Sequence, residues 1–208
     1  MKKRQKVNPS KVLFLDIDGV LNSDSFFCSK YHDRLKLSRG EQGVMHDPRA
    51  IKILGDIYKK THCRIVMSST WRSFFFSKNK TSKYLSKPLK KDLKKYNIII
   101  KDKTGWEYDE NTAQKYASYI WQEKDGCSQL VLNKNKQPLT EFYERGLQIN
   151  NWLKKHPEVK QFAILDDDIV DLPLFGEHFI RCNSDVGLTQ IEADKVVRLL
   201  EDTIAKSS

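Results

Sequence analysis

Val12-Leu13-Phe14-Leu15-Asp16-Ile17-Asp18-Gly19-Val20-Leu21 joins two signals in ten residues. Four consecutive apolar side chains without alternation mark a strand buried on both faces, as in a parallel sheet covered by helices. Two carboxylates one residue apart follow at once, and then a glycine that permits a sharp turn. A strand that ends in Asp-x-Asp-Gly delivers acids to the edge of a sheet.

Outward from this stretch the same pattern recurs. Asp47-Pro48 reads as an N-cap with proline at the first helical position, and Ile51, Leu54, Ile57 and Tyr58 follow at helical spacing. Arg64-Ile65-Val66-Met67 is a second buried strand, ending in Ser68-Ser69-Thr70-Trp71-Arg72. Pro88 to Tyr96 is predicted as a helix and Ile98-Ile99-Ile100 as a third strand, while residues 103–144 give no clear assignment. Gly146 to Leu153 is amphipathic and stops before His156-Pro157. Phe162-Ala163-Ile164-Leu165 is a fourth strand running into Asp166-Asp167-Asp168, and His178 to Cys182 a fifth. Thr189 and Glu192 have the spacing of a capping box for a last helix reaching about Ala205. Strands alternating with helices predict an α/β fold with a central parallel sheet covered on both faces.

The chain has 208 residues, 39% apolar and 11% aromatic, a composition that excludes a disordered protein. Its formal net charge of +10 fits an anionic partner as well as it fits simple solubility. Cys28, Cys63, Cys127 and Cys182 form no C-x-x-C pair, which argues against a zinc knuckle and for free thiols. The basic N-terminus lacks the apolar run of a signal peptide, and no stretch approaches the roughly 20 apolar residues of a membrane span. A soluble, cytoplasmic protein is expected; its oligomeric state, and whether the chain continues beyond Ser208, stay open.

Ligands in an open α/β sheet sit beyond the carboxyl ends of the strands. Asp16-Ile17-Asp18-Gly19, Ser68-Ser69-Thr70 and Asp166-Asp167-Asp168 should therefore converge. Clustered carboxylates call for a cation, and an oxygen-only donor set favours a hard ion such as Mg²⁺. Asp16 beside that ion is placed as a nucleophile, with Asp18 as acid and then base.

These residues resemble a known family. Val12–Leu21 is similar to the first motif of the haloacid dehalogenase (HAD) superfamily, Met67-Ser68 to the second, and Ile164-Leu165-Asp166-Asp167 with Asp171 to the fourth. SSTWR, ERGLQINNWL and ILDDD look most like the small-cap branch found in multi-module RNA-repair proteins. A weaker similarity is to bacterial effector phosphatases of this fold that act on phosphotyrosine and are exported into host cells. The resemblance implies a Rossmann-like three-layer sandwich with a minimal cap, one domain over 1–208 with an insertion at about 74–144. It implies an aspartyl-phosphate on Asp16, proton transfer by Asp18, and Mg²⁺ held by Asp16, the Asp18 carbonyl and Asp167. Ser68 would bind a phosphoryl oxygen, with Ser69 and Arg72 as substrate-binding candidates. The third motif normally supplies a lysine; Arg145 is best placed here, with Lys134 or Lys136 as alternatives. Asp168 reads as a solvated or capping residue, Asp171 as an orienting one, Trp71 as core, and the five histidines as structural or surface.

The substrate is less constrained. The gap from Asn22 to Cys63 reads as one long polar loop and one sheet-covering helix, too little for a large lid. From Lys78 to Lys103 ten lysines face only Asp92 and Asp102, just after Phe74-Phe75-Phe76. A basic, aromatic rim suits a phosphate on a planar ring or an anionic surface; solvated lysines over packed phenylalanines explain it equally well. The expected substrate is a phosphoprotein, phosphotyrosine in particular, with a 3′- or 5′-phosphorylated polynucleotide end as the alternative. A non-catalytic basic module for nucleic acid or phospholipid, and a phosphotransferase or dehalogenase on the same sheet, are the remaining readings.

Overall fold

In the computed structural model, which describes residues 6–39, 45–105, 119–124, 127–132, 145–169 and 172–201, Val12–Leu15 are wholly excluded from solvent. They lie in β1 (Asn8–Leu15), which pairs in parallel with a strand on each side. The elements that follow are α1 (Asp24–Phe27), α2 (Lys30–Arg39), α3 (Pro48–Thr61), β2 (Cys63–Met67), α4 (Arg72–Phe75) and α5 (Lys80–Lys95). Then come β3 (Asp102–Lys103), β4 (Tyr119–Lys124), β5 (Cys127–Leu132), α6 (Arg145–Lys154), β6 (Gln161–Asp166), β7 (Phe179–Arg181) and α7 (Gln190–Glu201). A five-stranded parallel sheet has the order β3-β2-β1-β6-β7, so the chain leads off with the central strand and fills in on both flanks. This is the α/β, Rossmann-like arrangement that the alternation of strands and helices predicts.

The chain divides into two compact units, Met1–Lys103 with Glu158–Asp167 and Glu177–Ser208, and Thr104–Pro157 with Asp168–Gly176. The first holds the parallel sheet. The second holds α6 and the antiparallel pair β4–β5, in register from Tyr119 opposite Leu132 to Lys124 opposite Cys127. That pair lies in the stretch whose sequence gives no assignment.

Local chemistry explains the helices of the first unit. Asp47 caps α3 by accepting the Arg49 N–H (2.8 Å), Pro48 occupies the first turn, and Ile51, Leu54, Ile57 and Tyr58 are buried. The helix stops at His62, whose left-handed φ of 53° returns its N–H to the Tyr58 carbonyl. α7 starts after a reciprocal cap in which the Thr189 N–H donates to Glu192 Oε2 (3.0 Å) and Thr189 Oγ1 accepts the Ile191 N–H (3.2 Å). Its buried Ala193, Val196 and Leu200 join Leu13, Leu15, Leu54 and Met67 in one core.

Three expectations need correction. Ile98–Ile100 is not a strand: Asn97 turns the chain with φ 61°, Ile98 and Ile100 tuck into the core while Ile99 stays exposed, and the ladder with Val66 and Met67 forms at Asp102 and Lys103. The helix read from Pro88 begins at Lys80 and runs through the proline. Ser86, Leu89 and Leu93 continue one buried face across Pro88, and that packing outweighs the single backbone bond proline removes. The loop between β1 and α3 also contains α1 and α2, with Phe26 buried against the His32 ring at 4.9 Å.

Cys28 is exposed while Cys63 and Cys182 are buried, all three as free thiols. Burial pushes the Cys63 thiol up to about 11. Among the described residues, no helix is long and apolar enough to cross a membrane. Asp47→Ala, by removing the α3 cap, is expected to cost about 1 kcal/mol, a fall in Tm of roughly 2–4 °C in a chain of this size, measurable by thermal unfolding.

Candidate active site

Backbone bonds between neighbouring strands set the edge of the sheet flush. The Asp16 N–H donates to the Leu165 carbonyl (3.0 Å), the Ser68 N–H to the Leu15 carbonyl (2.9 Å), and the Cys182 N–H to the Asp166 carbonyl (2.9 Å). Leu15 stands opposite both Met67 and Leu165, so the residues that follow these three emerge side by side. Asp16, Asp166 and Asp167 thereby bring one carboxylate oxygen each to within 4.8 Å of one another. Asp16 is 3% exposed, Asp166 is fully buried and Asp167 is partly covered.

Three carboxylates at that spacing repel by on the order of 3 kcal/mol per pair at an effective dielectric near 20. An all-oxygen cluster of this kind fits a hard divalent cation, Mg²⁺ by its chemistry. Cys182 senses the same field: burial first, then Glu192, Asp166, Asp167 and Asp16, push its thiol well above the usual range. The sequence reading expects Asp16, Asp167 and the Asp18 carbonyl as ligands; the carboxylate cluster contains Asp16 and Asp167 and, besides them, Asp166. The signal for it was present, since Asp166 follows Phe162–Leu165 as Asp16 follows Val12–Leu15.

Asp18 sits past the strand tip with its carboxylate exposed yet held. The Trp71 indole N–H donates to both its oxygens (3.0 and 2.9 Å), and the Asn22 amide donates to Oδ1 (2.9 Å). Asn22 in turn accepts the Gly19 N–H (2.9 Å) and donates to the Met45 carbonyl (3.3 Å). Sequence reasoning placed Trp71 in the core, which it is at 8% exposure. It missed that an aromatic in the core can turn its one polar atom toward the site.

Gly19 makes the turn with φ +66°, and a Cβ there would lie 2.3 Å from the Asp167 carboxylate. At the tip of β2, Ser68 is 1% exposed and its Oγ has no hydrogen-bond partner among the described residues. A buried hydroxyl left without a partner is costly unless a ligand supplies one. Ser69 is fully buried: its Oγ accepts the Trp71 N–H (3.3 Å) and its carbonyl accepts the Arg72 Nη1 donor (3.1 Å). Arg72, the first residue of α4, is itself 3% exposed. Arg145 opens α6 in the second unit, to which Asp168 also belongs. Lys134, Lys136 and Asp171 lie outside the described residues, as do Trp106, Tyr108, Tyr116 and the side chains of Tyr119 and Trp121. His46 is structural, paired in the interior with Asp92 at 2.9 Å.

A family model described as the HAD domain in Swiss Army Knife RNA repair proteins matches residues 12–193. Among curated proteins and among solved structures, nothing matches.

Gly19→Ala forces a Cβ onto the Asp167 carboxylate in a conformation that disfavours it. Titration calorimetry with Mg²⁺ should show at least about tenfold weaker binding, roughly the 1.4 kcal/mol of one displaced ligand, with unfolding still cooperative.

Proposed function

The chain belongs to the family of HAD domains in Swiss Army Knife RNA repair proteins, and from that premise we propose that it is a Mg²⁺-dependent phosphomonoesterase acting on a terminal phosphate of RNA. The observation that carries the catalytic part is the carboxylate cluster of Asp16, Asp166 and Asp167 at the strand tips, beside a buried Ser68 hydroxyl awaiting a partner. The substrate part rests on the family's description and on the net charge of +10. These favour a nucleic-acid end over the phosphotyrosine side chain that the weaker sequence resemblance suggests.

In this reading Asp16, Asp167 and the backbone carbonyl of Asp18 hold Mg²⁺, with Asp166 completing the negative shell. The ion, when bound, neutralises the carboxylates and the phosphoryl oxygens. An Asp16 oxygen forms a bond to phosphorus as the bond to the leaving oxygen breaks, and Asp18 donates its proton to that oxygen. Asp18 then takes a proton from water as the water attacks phosphorus, which frees inorganic phosphate and restores Asp16. Trp71 and Asn22 keep the Asp18 carboxylate aimed, and Ser68 Oγ donates to a phosphoryl oxygen. Arg145 is assigned the third-motif cation by its place in the sequence alone, and Ser69 and Arg72 contribute through the backbone they brace at the β2 tip.

Asp16→Asn should reduce turnover of an aryl phosphate by at least about 10³-fold, the scale of removing a nucleophile, with thermal unfolding unchanged; full activity would refute the assignment. Turnover at fixed Mg²⁺ should be fastest on 3′- or 5′-phosphorylated oligoribonucleotides. A phosphotyrosine peptide outpacing them would reverse the substrate choice and retain the chemistry. Trp71→Phe removes the donor to Asp18 while keeping a ring, so kcat should fall about tenfold to a hundredfold, part of what a placed acid–base group contributes, with KM nearly unchanged.

A further inference from the structure

The strand-tip site does not use a strongly basic face of α5. In α5 the helical repeat of 3.6 residues puts Lys80, Lys83, Tyr84, Lys87, Lys91 and Lys94 within an arc of about 100° and along about 21 Å. All six are exposed, Tyr84 by 60%. The opposite face carries Ser86, Leu89 and Leu93, all buried. None of those five lysines forms an ion pair with a described residue, whereas Lys95 beside them is paired with Asp92. Lys90, lower on the helix, is held below the usual lysine range by burial and then by the charge of Lys83.

The stripe is fastened to the element that leaves the catalytic strand tip. α4 follows Ser68–Trp71 directly, and α5 is pinned to it where the Lys90 ammonium donates to the Phe75 carbonyl and lies 4.4 Å over the Phe75 ring centroid. Phe74, on the same short helix, is 40% exposed and meets Trp71 edge-on at 6.4 Å. Trp71 is the residue that holds Asp18. An exposed ring against the tryptophan that holds Asp18, then a row of ammonium groups without an ion pair among the described residues and a second exposed ring among them, is the combination that holds a single strand: charge for the phosphates and π-faces for the bases. A membrane fits worse. The apolar face of α5 is committed to the core, which leaves nothing to insert below the lipid headgroups.

We infer that the lysine face of α5, with Phe74 and Tyr84, is the surface that holds single-stranded RNA behind the phosphate being removed; this rests on the terminal-phosphate reading of the strand tips. Fluorescence anisotropy of the full chain on a labelled single-stranded RNA with hydroxyl at both ends tests it, because binding is then separate from phosphate removal. Affinity should fall with salt at a slope of about −0.7 per contacted phosphate. The triple variant Lys83→Gln, Lys87→Gln, Lys91→Gln should bind at least tenfold more weakly and flatten the slope by about 2, while aryl-phosphate turnover stays at the wild-type rate. Tyr84→Ala should cost about tenfold in affinity from lost stacking. Failure of the wild type to bind, or a triple variant with unchanged affinity and slope, overturns the inference. Tighter binding to single-stranded DNA of the same sequence overturns the choice of RNA. Binding to phosphatidylserine vesicles that this RNA does not compete away overturns it in favour of a membrane surface. Absence of aryl-phosphate turnover in a wild type that binds RNA would strike the phosphatase reading and leave the surface standing.

Discussion

Like charges crowd at one edge of a hydrophobic sheet, and the rest of the fold is arranged to hold them there. Asp16 and Asp166 cannot swing away, because each continues a strand whose backbone is already bonded to its neighbour. β1 is the only strand flanked by β2 and β6, and four wholly buried side chains fix its register before the acids begin. Slipping that register by one residue would draw Asp16 in from the sheet edge among Val12–Leu15, which are all wholly buried, and a carboxylate is costly there, so the core enforces the position of the carboxylates. Their repulsion is a strain that a cation bound there would relieve, which would link affinity for the ion to stability of the fold.

The same economy governs the loops. From Ile17 to Asn22 the chain makes one turn in which the N–H groups of Val20, Leu21 and Asn22 all point to the Ile17 carbonyl. That turn delivers Asp18 to the Trp71 indole and brings Gly19 against Asp167. Three segments distant in sequence thus meet through one tight turn.

Much of this was legible in the chain. Uninterrupted apolar runs identify parallel strands because burial on both faces leaves no alternation, and Asp47-Pro48 and Thr189-x-x-Glu192 mark helix starts because their side chains satisfy specific backbone donors. The acids of the site follow from their place after such runs. What stayed hidden depends on tertiary contacts. Ile98–Ile100 has the composition of a strand but forms no ladder, since the chain turns at Asn97 and pairing with β2 begins only at Asp102. Pro88 looks like a helix start, and only the shared burial of Ser86, Leu89 and Leu93 shows that the helix passes through it. The role of Trp71 was invisible because its partner, Asp18, lies 53 residues earlier.

The chemistry assigned to the strand tips runs on carboxylates, and this determines what can poison it. Burial and then the nearby carboxylates push the Cys182 thiol up, and burial raises Cys63 to about 11. Peroxide and other electrophiles react with thiolates, so neither sulfur presents them with a target at neutral pH. Cys28 stands after α1 and is the exposed one of the three described thiols. A site built from Asp16, Asp166 and Asp167 contains no thiolate nucleophile for an oxidant to modify.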